Sequence, residues 1–245
     1  MVGRPGLPRD IHVWFRCTDS LDEAAIAAAV SVLSGDERAQ YGRFHFRRDA
    51  RDYAAAHALL RQSLSRYGGR APEEWRFQKD VNGKPFLVDE DAFQASFSLS
   101  HTHGMVACAV TAAADVGVDV ECIDRNVDAA DIAARFFAPS ETAHLAQLDE
   151  EARQQRFFDL WTLKEALAKA LGMGMALSLN RLAFAIAGDG GISLGAAPGI
   201  DAADRQFGLF TPGPRHRLAV AARSSASGPA QIFVRAVADE GSGVS

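Results

Sequence analysis

Asp119 and Glu121 stand one residue apart in the segment GVDVE, whose valines are typical of a buried β-strand. Because alternate residues of a strand share a face, the two carboxylates are expected side by side. Adjacent carboxylates raise each other's pKa unless a cation lies between them. Mg²⁺ binds a few carboxylates and completes its shell with water and phosphate oxygens. Taken alone, the pattern is explained more simply by an edge strand with a solvated polar face, and a magnesium site is the alternative.

A second group of polar residues lies in WTLKEALAK, from Trp161 to Lys169. On a helix, Trp161, Glu165 and Lys169 are four residues apart and share one face. One interpretation is an aromatic core anchor beside a surface Glu–Lys pair, which stabilises a helix by about 0.3 kcal/mol. The other makes Glu165 a third carboxylate for the metal and Lys169 a cation that faces phosphate.

The segment SLSHTHG places Ser100, His101 and His103 at the end of a predicted strand. A His-x-His pair can bind zinc, but no further set of zinc ligands accompanies it. The simplest interpretation is a structural, hydrogen-bonded histidine. Phosphate contact by Ser100 and His101 is the alternative.

Basic residues elsewhere are also open to two interpretations. The segment NGKP (residues 82–85) is typical of a turn, from which Lys84 can reach a ligand. A cluster of arginines fits either a solvated helix face or phosphate recognition. Its members are Arg43, Arg47, Arg48 and Arg51.

Strands and helices that position these residues are predicted in an order that occurs twice. The first part of the chain predicts a helix over 21–34 and a long helical region over 37–69, capped by Asp36. These helices are followed by a hairpin around Asn82-Gly83 and by strands at 95–100, 105–112 and 116–122. Helices at 129–137, 141–148 and 151–172 then precede strands at 181–187, 217–223 and 231–238. This repetition predicts two similar α/β halves that meet near residues 112–116, with a ligand cleft between them.

Composition limits the class of protein. The 245 residues are 48% hydrophobic and 23% charged, which is ordinary for a globular protein. The net charge of −5 argues against a general nucleic-acid binder. We expect no membrane span and no signal peptide, because no sufficiently long apolar run is present. Three scattered cysteines favour a reducing cytoplasm over a disulfide-bonded protein.

Five segments in this order, NGKP, SLSHTHG, GVDVE, RFFAPSE and FFDLWTLKEALAKALGMGM, resemble the 4′-phosphopantetheinyl transferases of the surfactin-synthetase-activating type. The resemblance is firm from about Asn82 to Leu179 and looser in the first third of the chain. It implies an α+β fold of two similar α/β halves related by a pseudo-twofold axis, with the active site in the cleft between them. The halves are expected at 1–114, which binds coenzyme A, and at 115–238, which carries the magnesium site and the catalytic helix. Residues 239–245 are expected to form a disordered tail.

The resemblance implies a Mg²⁺-dependent enzyme, a holo-[acyl-carrier-protein] synthase. It would transfer the phosphopantetheine arm of coenzyme A to a serine of an apo acyl or peptidyl carrier protein and release 3′,5′-ADP. It also implies a monomer, because both halves lie in one chain. The acids and lysines alone would permit another magnesium-dependent phosphoryl or nucleotidyl transferase. A non-catalytic module that binds coenzyme A or a carrier protein is a third hypothesis.

The resemblance also assigns roles to individual residues. The expected magnesium ligands are Asp119, Glu121 and Glu165, and the expected catalytic residues are Glu165, Lys169 and His101. Coenzyme A is expected to contact a larger set, namely Arg43, Arg47, Arg51, Gly83, Lys84, Pro85, Ser100, His101, Lys164 and Lys169. The segment 126–148, with Phe136 and Phe137, resembles the docking region for the carrier protein, and core packing explains those two phenylalanines equally well.

Overall fold

The chain forms a similar series of elements twice, and each series builds most of one half of the protein. The computed structural model describes residues 7–88, 93–112, 115–124, 127–174, 177–195, 197–224 and 228–237. The first series contains β1 (Ile11–Cys17), α1 (Glu23–Ser31), α2 (Gly35–Tyr41), α3 (Arg47–Gly68), β2 (Phe77–Lys79), β3 (Pro85–Leu87), β4 (Ser96–Thr102) and β5 (Met105–Thr111). The second contains β6 (Val116–Cys122), α4 (Ala129–Phe136), α5 (Pro139–Leu145), α6 (Glu150–Leu171), β7 (Phe184–Ile186), β8 (Ile192–Leu194), β9 (Arg205–Gly213), β10 (His216–Arg223) and β11 (Ile232–Ala236).

The two main sheets have equivalent strand orders. The first sheet is ordered β11-β1-β5-β4 and the second β6-β10-β9, so that β1-β5-β4 corresponds to β6-β10-β9. The last strand, β11, returns to the first sheet and pairs in parallel with β1. This arrangement confirms the predicted α+β class with two similar halves. The predicted tail at 239–245 lies outside the described residues.

The halves pack as four layers, in the order α3, first sheet, second sheet and α6. Val118 and Val120 of β6 meet Val13 and Ala107 of the first sheet in the core between the sheets. A separate core lies between α3 and the outer face of the first sheet, and another between α6 and the second sheet. No helix in the described part of the chain is long and apolar enough to cross a membrane.

Along one edge of this sandwich, strand β4 of the first half lies beside strand β6 of the second. Hydroxyl groups of β4 accept hydrogen bonds from backbone N–H groups of β6, in place of a strand-to-strand ladder. We call this line of contact the seam. Asp119 and Glu121 lie on it.

Local signals place the two long helices. Asp149 caps the start of α6 by accepting a hydrogen bond of 2.9 Å from the N–H of Ala152. Gly172 ends α6 in the left-handed conformation, with φ of 66°. Gly69 ends α3 in the same way, which confirms the predicted stop at Gly68-Gly69. Both ends of α6 and the C-terminal end of α3 are therefore marked by local sequence, whereas the start of α3 at Phe46 has no side-chain cap.

Three details differ from the sequence prediction. The expected single helical region over 37–69 is two helices, broken between Gly42 and Phe46. Its first helix is capped by Ser34, whose hydroxyl and backbone form a reciprocal capping box with Glu37, and not by Asp36. Strands β8 and β9 were not predicted, and β9 is only partly buried along its length, so its hydrophobic alternation is weak.

Candidate active site

Asp119 and Glu121 project together from the face of β6 that packs against α6. Val118 and Val120 point the other way and are completely buried between the sheets. Asp119 is only 4% exposed, so a solvated strand face does not describe it. The valines hold the strand in the core, and the carboxylates are consequently held beneath the helix.

Gly117, on the same face as Asp119, lets α6 approach the strand closely. A Cβ atom at this position would lie 2.0 Å from the carbonyl oxygen of Ala166 and 2.5 Å from the backbone nitrogen of Ala170. Any side chain would therefore push the helix away. The glycine of GVDVE is required for contact between the strand acids and the helix.

Helix α6 brings its own polar face onto these acids. The Nζ of Lys169 donates to Oδ1 of Asp119 at 2.7 Å. About two turns earlier on the same face of the helix, the indole Nε1–H of Trp161 donates to Oε1 of Glu121 at 3.1 Å. Glu165 lies on the helix between these two contacts, as its i+4 spacing predicts.

The electrostatics of Glu165 reflect this crowding. Burial raises the pKa of its carboxyl, and the negative charges of Asp119 and Glu121 raise it further against the opposing charge of Lys169. The three acids therefore interact through space. A carboxyl whose pKa is raised in this way binds a proton more readily than a free carboxyl does.

Asp119, Glu121 and Glu165 are the predicted metal ligands. Among the described residues, no three His, Cys, Asp or Glu side chains converge closely enough to form a ready metal cage. Lys169 instead occupies Oδ1 of Asp119, while Oδ2 is buried and has no hydrogen-bond partner within the described chain. A buried carboxylate oxygen without a partner needs a cation or a donor. This donor set of carboxylate oxygens therefore fits a divalent cation such as Mg²⁺.

Ser100 joins the same cluster from β4. Its hydroxyl accepts from Lys169 Nζ at 2.8 Å and lies 2.8 Å from Oδ1 of Asp119. Ser100 is 4% exposed. The structure thus places this predicted coenzyme A contact within the acid cluster.

The predicted coenzyme A turn at Asn82–Pro85 rests on the end of α6. Lys84 donates from Nζ to the carbonyl of Ala170 at 2.9 Å, and Asn82 donates from Nδ2 to the carbonyl of Gly172 at 2.8 Å. Gly83 has φ of 85°, which favours glycine. Burial lowers the pKa of Lys84, against the charges of Asp115 and Asp80. A pocket of about 240 Å³ separates the turn from β4 and Lys169.

A wider cleft opens on the other side of the acids. It has a volume of about 590 Å³, and its walls include Phe44, Arg48, His101, His103 and Glu121. Desolvation in this recess and the charge of Lys169 lower the pKa of His101. Sequence reasoning did not place Phe44 here and did not distinguish Arg48 from its neighbours.

The three arginines predicted to contact coenzyme A are not gathered at the cleft. Arg47 has a side chain that is 97% exposed and lies 3.6 Å from Glu23. Arg51 forms ion pairs of 2.7 Å with Asp19 and 3.2 Å with Asp52. Arg43 is exposed. Their helical spacing did not reveal which guanidinium faces the cleft, because α2 and α3 are separate helices.

Lys164 does not lie where the sequence prediction placed it. It was expected near the nucleotide, but it is completely buried and its Nζ lies 2.7 Å from Oε2 of Glu141. The same ammonium donates to the carbonyls of Leu179 and Leu182. With all three donors used inside the second half, Lys164 joins α5 and α6 to the segment before β7 and has no free donor for phosphate.

The two phenylalanines of the expected docking region differ. Phe136 is 41% exposed and packs edge-on against Trp161, with ring centroids 5.7 Å apart. Phe137 is buried and stacks on Phe157. Core packing therefore explains Phe137, and only Phe136 is available to a partner.

Comparison with known proteins gives consistent matches across the chain. Residues 115–221 match a family model described as the 4′-phosphopantetheinyl transferase superfamily, and residues 20–113 match one described as 4′-phosphopantetheinyl transferase, N-terminal. The 4′-phosphopantetheinyl transferase HetI of Nostoc sp. is 36% identical over 171 residues, covering 69% of this chain and 72% of that protein. The 4′-phosphopantetheinyl transferase Sfp of Bacillus subtilis is 29% identical over 165 residues, covering 67% of this chain and 71% of that protein. A solved holo-[acyl-carrier-protein] synthase of Thermotoga maritima matches 46% of this chain and 66% of its own, with 24% identity and a TM-score of 0.37.

Proposed function

Because this chain belongs to the 4′-phosphopantetheinyl transferase superfamily, we propose that the cluster of Asp119, Glu121, Glu165 and Lys169 is its catalytic centre. The enzyme transfers the 4′-phosphopantetheine arm of coenzyme A to a serine of an apo carrier protein and releases 3′,5′-ADP. The observation that carries the assignment of the centre is the contact of Lys169 with Asp119 at the seam, one helical turn from Glu165.

We assign Asp119, Glu121 and Glu165 as the residues that hold Mg²⁺. The ion would supply positive charge that stabilises the phosphate of the departing 3′,5′-ADP. The buried Oδ2 of Asp119, which has no partner among the described residues, supports this assignment.

The serine oxygen of the carrier protein forms a bond to the phosphorus that bears the pantetheine arm. The bond from that phosphorus to the bridging oxygen breaks, and the bridging oxygen leaves with 3′,5′-ADP. We assign Glu165 as the group that accepts the serine proton, directly or through a water molecule. Lys169 offers its ammonium to the phosphates beside His101, whose pKa is lowered by burial and by the charge of Lys169.

The coenzyme A site is proposed on the first half, between the turn of Gly83, Lys84 and Pro85 and the strand that carries Ser100 and His101. The pocket between this turn and β4 supports that placement. Arg48 is a better candidate for phosphate contact than Arg43, Arg47 or Arg51, because it lines the cleft next to His101.

We further propose that the protein works as a monomer in the cytoplasm. Both walls of the site come from one chain, which supports the monomer, and three free cysteines are compatible with a reducing compartment. Light scattering during gel filtration would test the monomer, and a dimer at micromolar concentration would contradict it.

The activity is tested by weighing the acceptor. The protein is incubated with coenzyme A, Mg²⁺ and apo carrier proteins of the acyl, peptidyl and aryl types, with a matched reaction that contains a chelator. We expect one carrier to gain the mass of one phosphopantetheine arm only when the metal is available. No gain on any of the carriers would contradict the activity, and an equal gain in chelator would contradict the metal.

A further inference from the structure

The hydroxyl groups along the seam follow a regular pattern. Each of three β4 residues accepts a hydrogen bond from the backbone N–H found twenty residues later in β6, at distances of 3.0, 3.2 and 3.2 Å. The pairs are Ser98 with Val118, Ser100 with Val120, and Thr102 with Cys122. All three hydroxyl-bearing residues are buried.

A hydroxyl that accepts an N–H still has its own proton to donate. Ser100 donates this proton to Oδ1 of Asp119 at 2.8 Å, and Thr102 donates to Oε2 of Glu121 at 3.3 Å. In both cases the accepting carboxylate belongs to the β6 residue that immediately precedes the residue whose N–H the hydroxyl binds. At Ser98 that preceding residue is Gly117, which has no carboxylate. Ser98 therefore contributes to the contact between β4 and β6 but donates to no carboxylate of β6.

Glu121 is consequently held through both of its oxygens. Trp161 donates to Oε1 at 3.1 Å, and Thr102 donates to Oε2. The Thr102 hydroxyl is itself fixed by the N–H of Cys122. Such a chain of contacts limits rotation of the carboxylate and directs its remaining lone pairs.

We propose that Thr102 is a positioning residue that orients Glu121 for divalent-cation binding. The inference rests on the proposed magnesium role of Glu121. Thr102 contacts neither substrate nor cation in this scheme and acts only through the carboxylate. Ser98 supports the seam in the same way but orients no acid. Comparing variants of Thr102 and Ser98 therefore distinguishes the positioning of Glu121 from general support of the seam.

The test compares three variants of the full-length protein by calorimetric titration with Mn²⁺ and by thermal unfolding. Thr102→Val and Ser98→Ala each remove one buried hydroxyl and leave one β6 N–H without its acceptor, so both should lower the melting temperature by similar amounts. Only Thr102→Val should weaken Mn²⁺ binding, by about tenfold. Thr102→Ser, which restores the hydroxyl, should recover the wild-type affinity.

Transfer assays add a second readout. Thr102→Val should need about tenfold more Mg²⁺ to reach half-maximal rate, with little change in KM for coenzyme A. Equal Mn²⁺ affinity in Thr102→Val, Ser98→Ala and the wild type would overturn the positioning role while leaving the metal site intact. A wild-type protein that binds no Mn²⁺, alone or with coenzyme A, would instead contradict the metal site and the role of Thr102 with it.

Discussion

Lys169 of α6 and Asp119 of β6 form an ion pair beside the seam, with Nζ 2.7 Å from Oδ1. The lysine side chain is 31% exposed and the aspartate side chain 6%. The lysine therefore reaches from the open side of the cleft onto a buried acid. A divalent cation and Lys169 would compete for the same carboxylate, until the phosphates of coenzyme A provide the lysine with another partner.

Lys169→Met should abolish transfer and strengthen cation binding. Removing the ammonium frees Oδ1 and removes a repelling positive charge, so Mn²⁺ should bind the substrate-free variant about tenfold more tightly than it binds the wild type. Calorimetry measures the affinity and the carrier-mass assay measures transfer. Arg223→Met is the control, because it breaks an ion pair with Asp204 that is exposed and lies at 3.6 Å. Weaker Mn²⁺ binding in Lys169→Met would contradict competition for Asp119.

Glu165→Gln should lose transfer without losing the fold. The wild-type carboxylate is desolvated and repelled by Asp119 and Glu121, which raises its pKa. A neutral amide removes that repulsion, so without metal the variant should melt about 2 °C higher than the wild type. Thermal unfolding in chelator and the carrier-mass assay check the two parts. Full transfer activity would refute the role of Glu165, and a large fall in melting temperature would refute the electrostatic account.

Gly117→Ala should separate α6 from β6. Its Cβ would overlap the carbonyl oxygen of Ala166, so we expect a loss of about 3 kcal/mol in the free energy of unfolding, together with a strong loss of transfer. Gly188→Ala is the matched control, because a Cβ there meets no atom within 4 Å. Urea unfolding of both variants measures the difference. Equal stability in the two would show that the close approach of the helix is not required.

Acid should destabilise the first half through Glu37. Burial alone would raise the pKa of this carboxyl, but hydrogen bonds from His57 and the Ser34 backbone, with the charge of Arg61, hold it at about 2 in place of 4.5. Because the folded pKa lies below the unfolded one, the stabilisation is complete above pH 4.5 and is lost as the pH falls through about 2. With allowance for solvent screening it amounts to roughly 2 kcal/mol.

Urea unfolding between pH 7 and pH 2 compares the wild type with Glu37→Gln. The wild type should lose roughly 2 kcal/mol more than the variant over this range. Parallel curves for the two proteins would show that Glu37 does not contribute to acid sensitivity.

Local patterns were sufficient to predict most elements of the fold and several of the side chains that lie together in the candidate site. Alternation along GVDVE places Asp119 and Glu121 on one face of the strand β6. Helical spacing places Glu165 and Lys169 on one face of the helix α6. Glycines at 69 and 172 mark the ends of α3 and α6. These features depend on residues close together in the chain, which is why they can be predicted without the structure.

Contacts between distant segments could not be predicted in this way. Lys164 follows the motif but turns inward, because Glu141 lies close in space though twenty-three residues earlier. The hydroxyls of Ser98 and Thr102 reach β6 only because the two sheets converge at the seam. The direction in which each arginine near α3 points depends on the break between α2 and α3. The sequence at this break contains no proline, so the break is not evident from the sequence.

The metal centre is tested most directly by locating the ion. Crystals grown with Mn²⁺ and coenzyme A would be measured at a wavelength where manganese scatters anomalously. The account predicts one strong anomalous peak about 2 Å from carboxylate oxygens of Asp119, Glu121 and Glu165, in contact with the pyrophosphate. A manganese peak elsewhere, or none beside these acids while coenzyme A is bound, would contradict it.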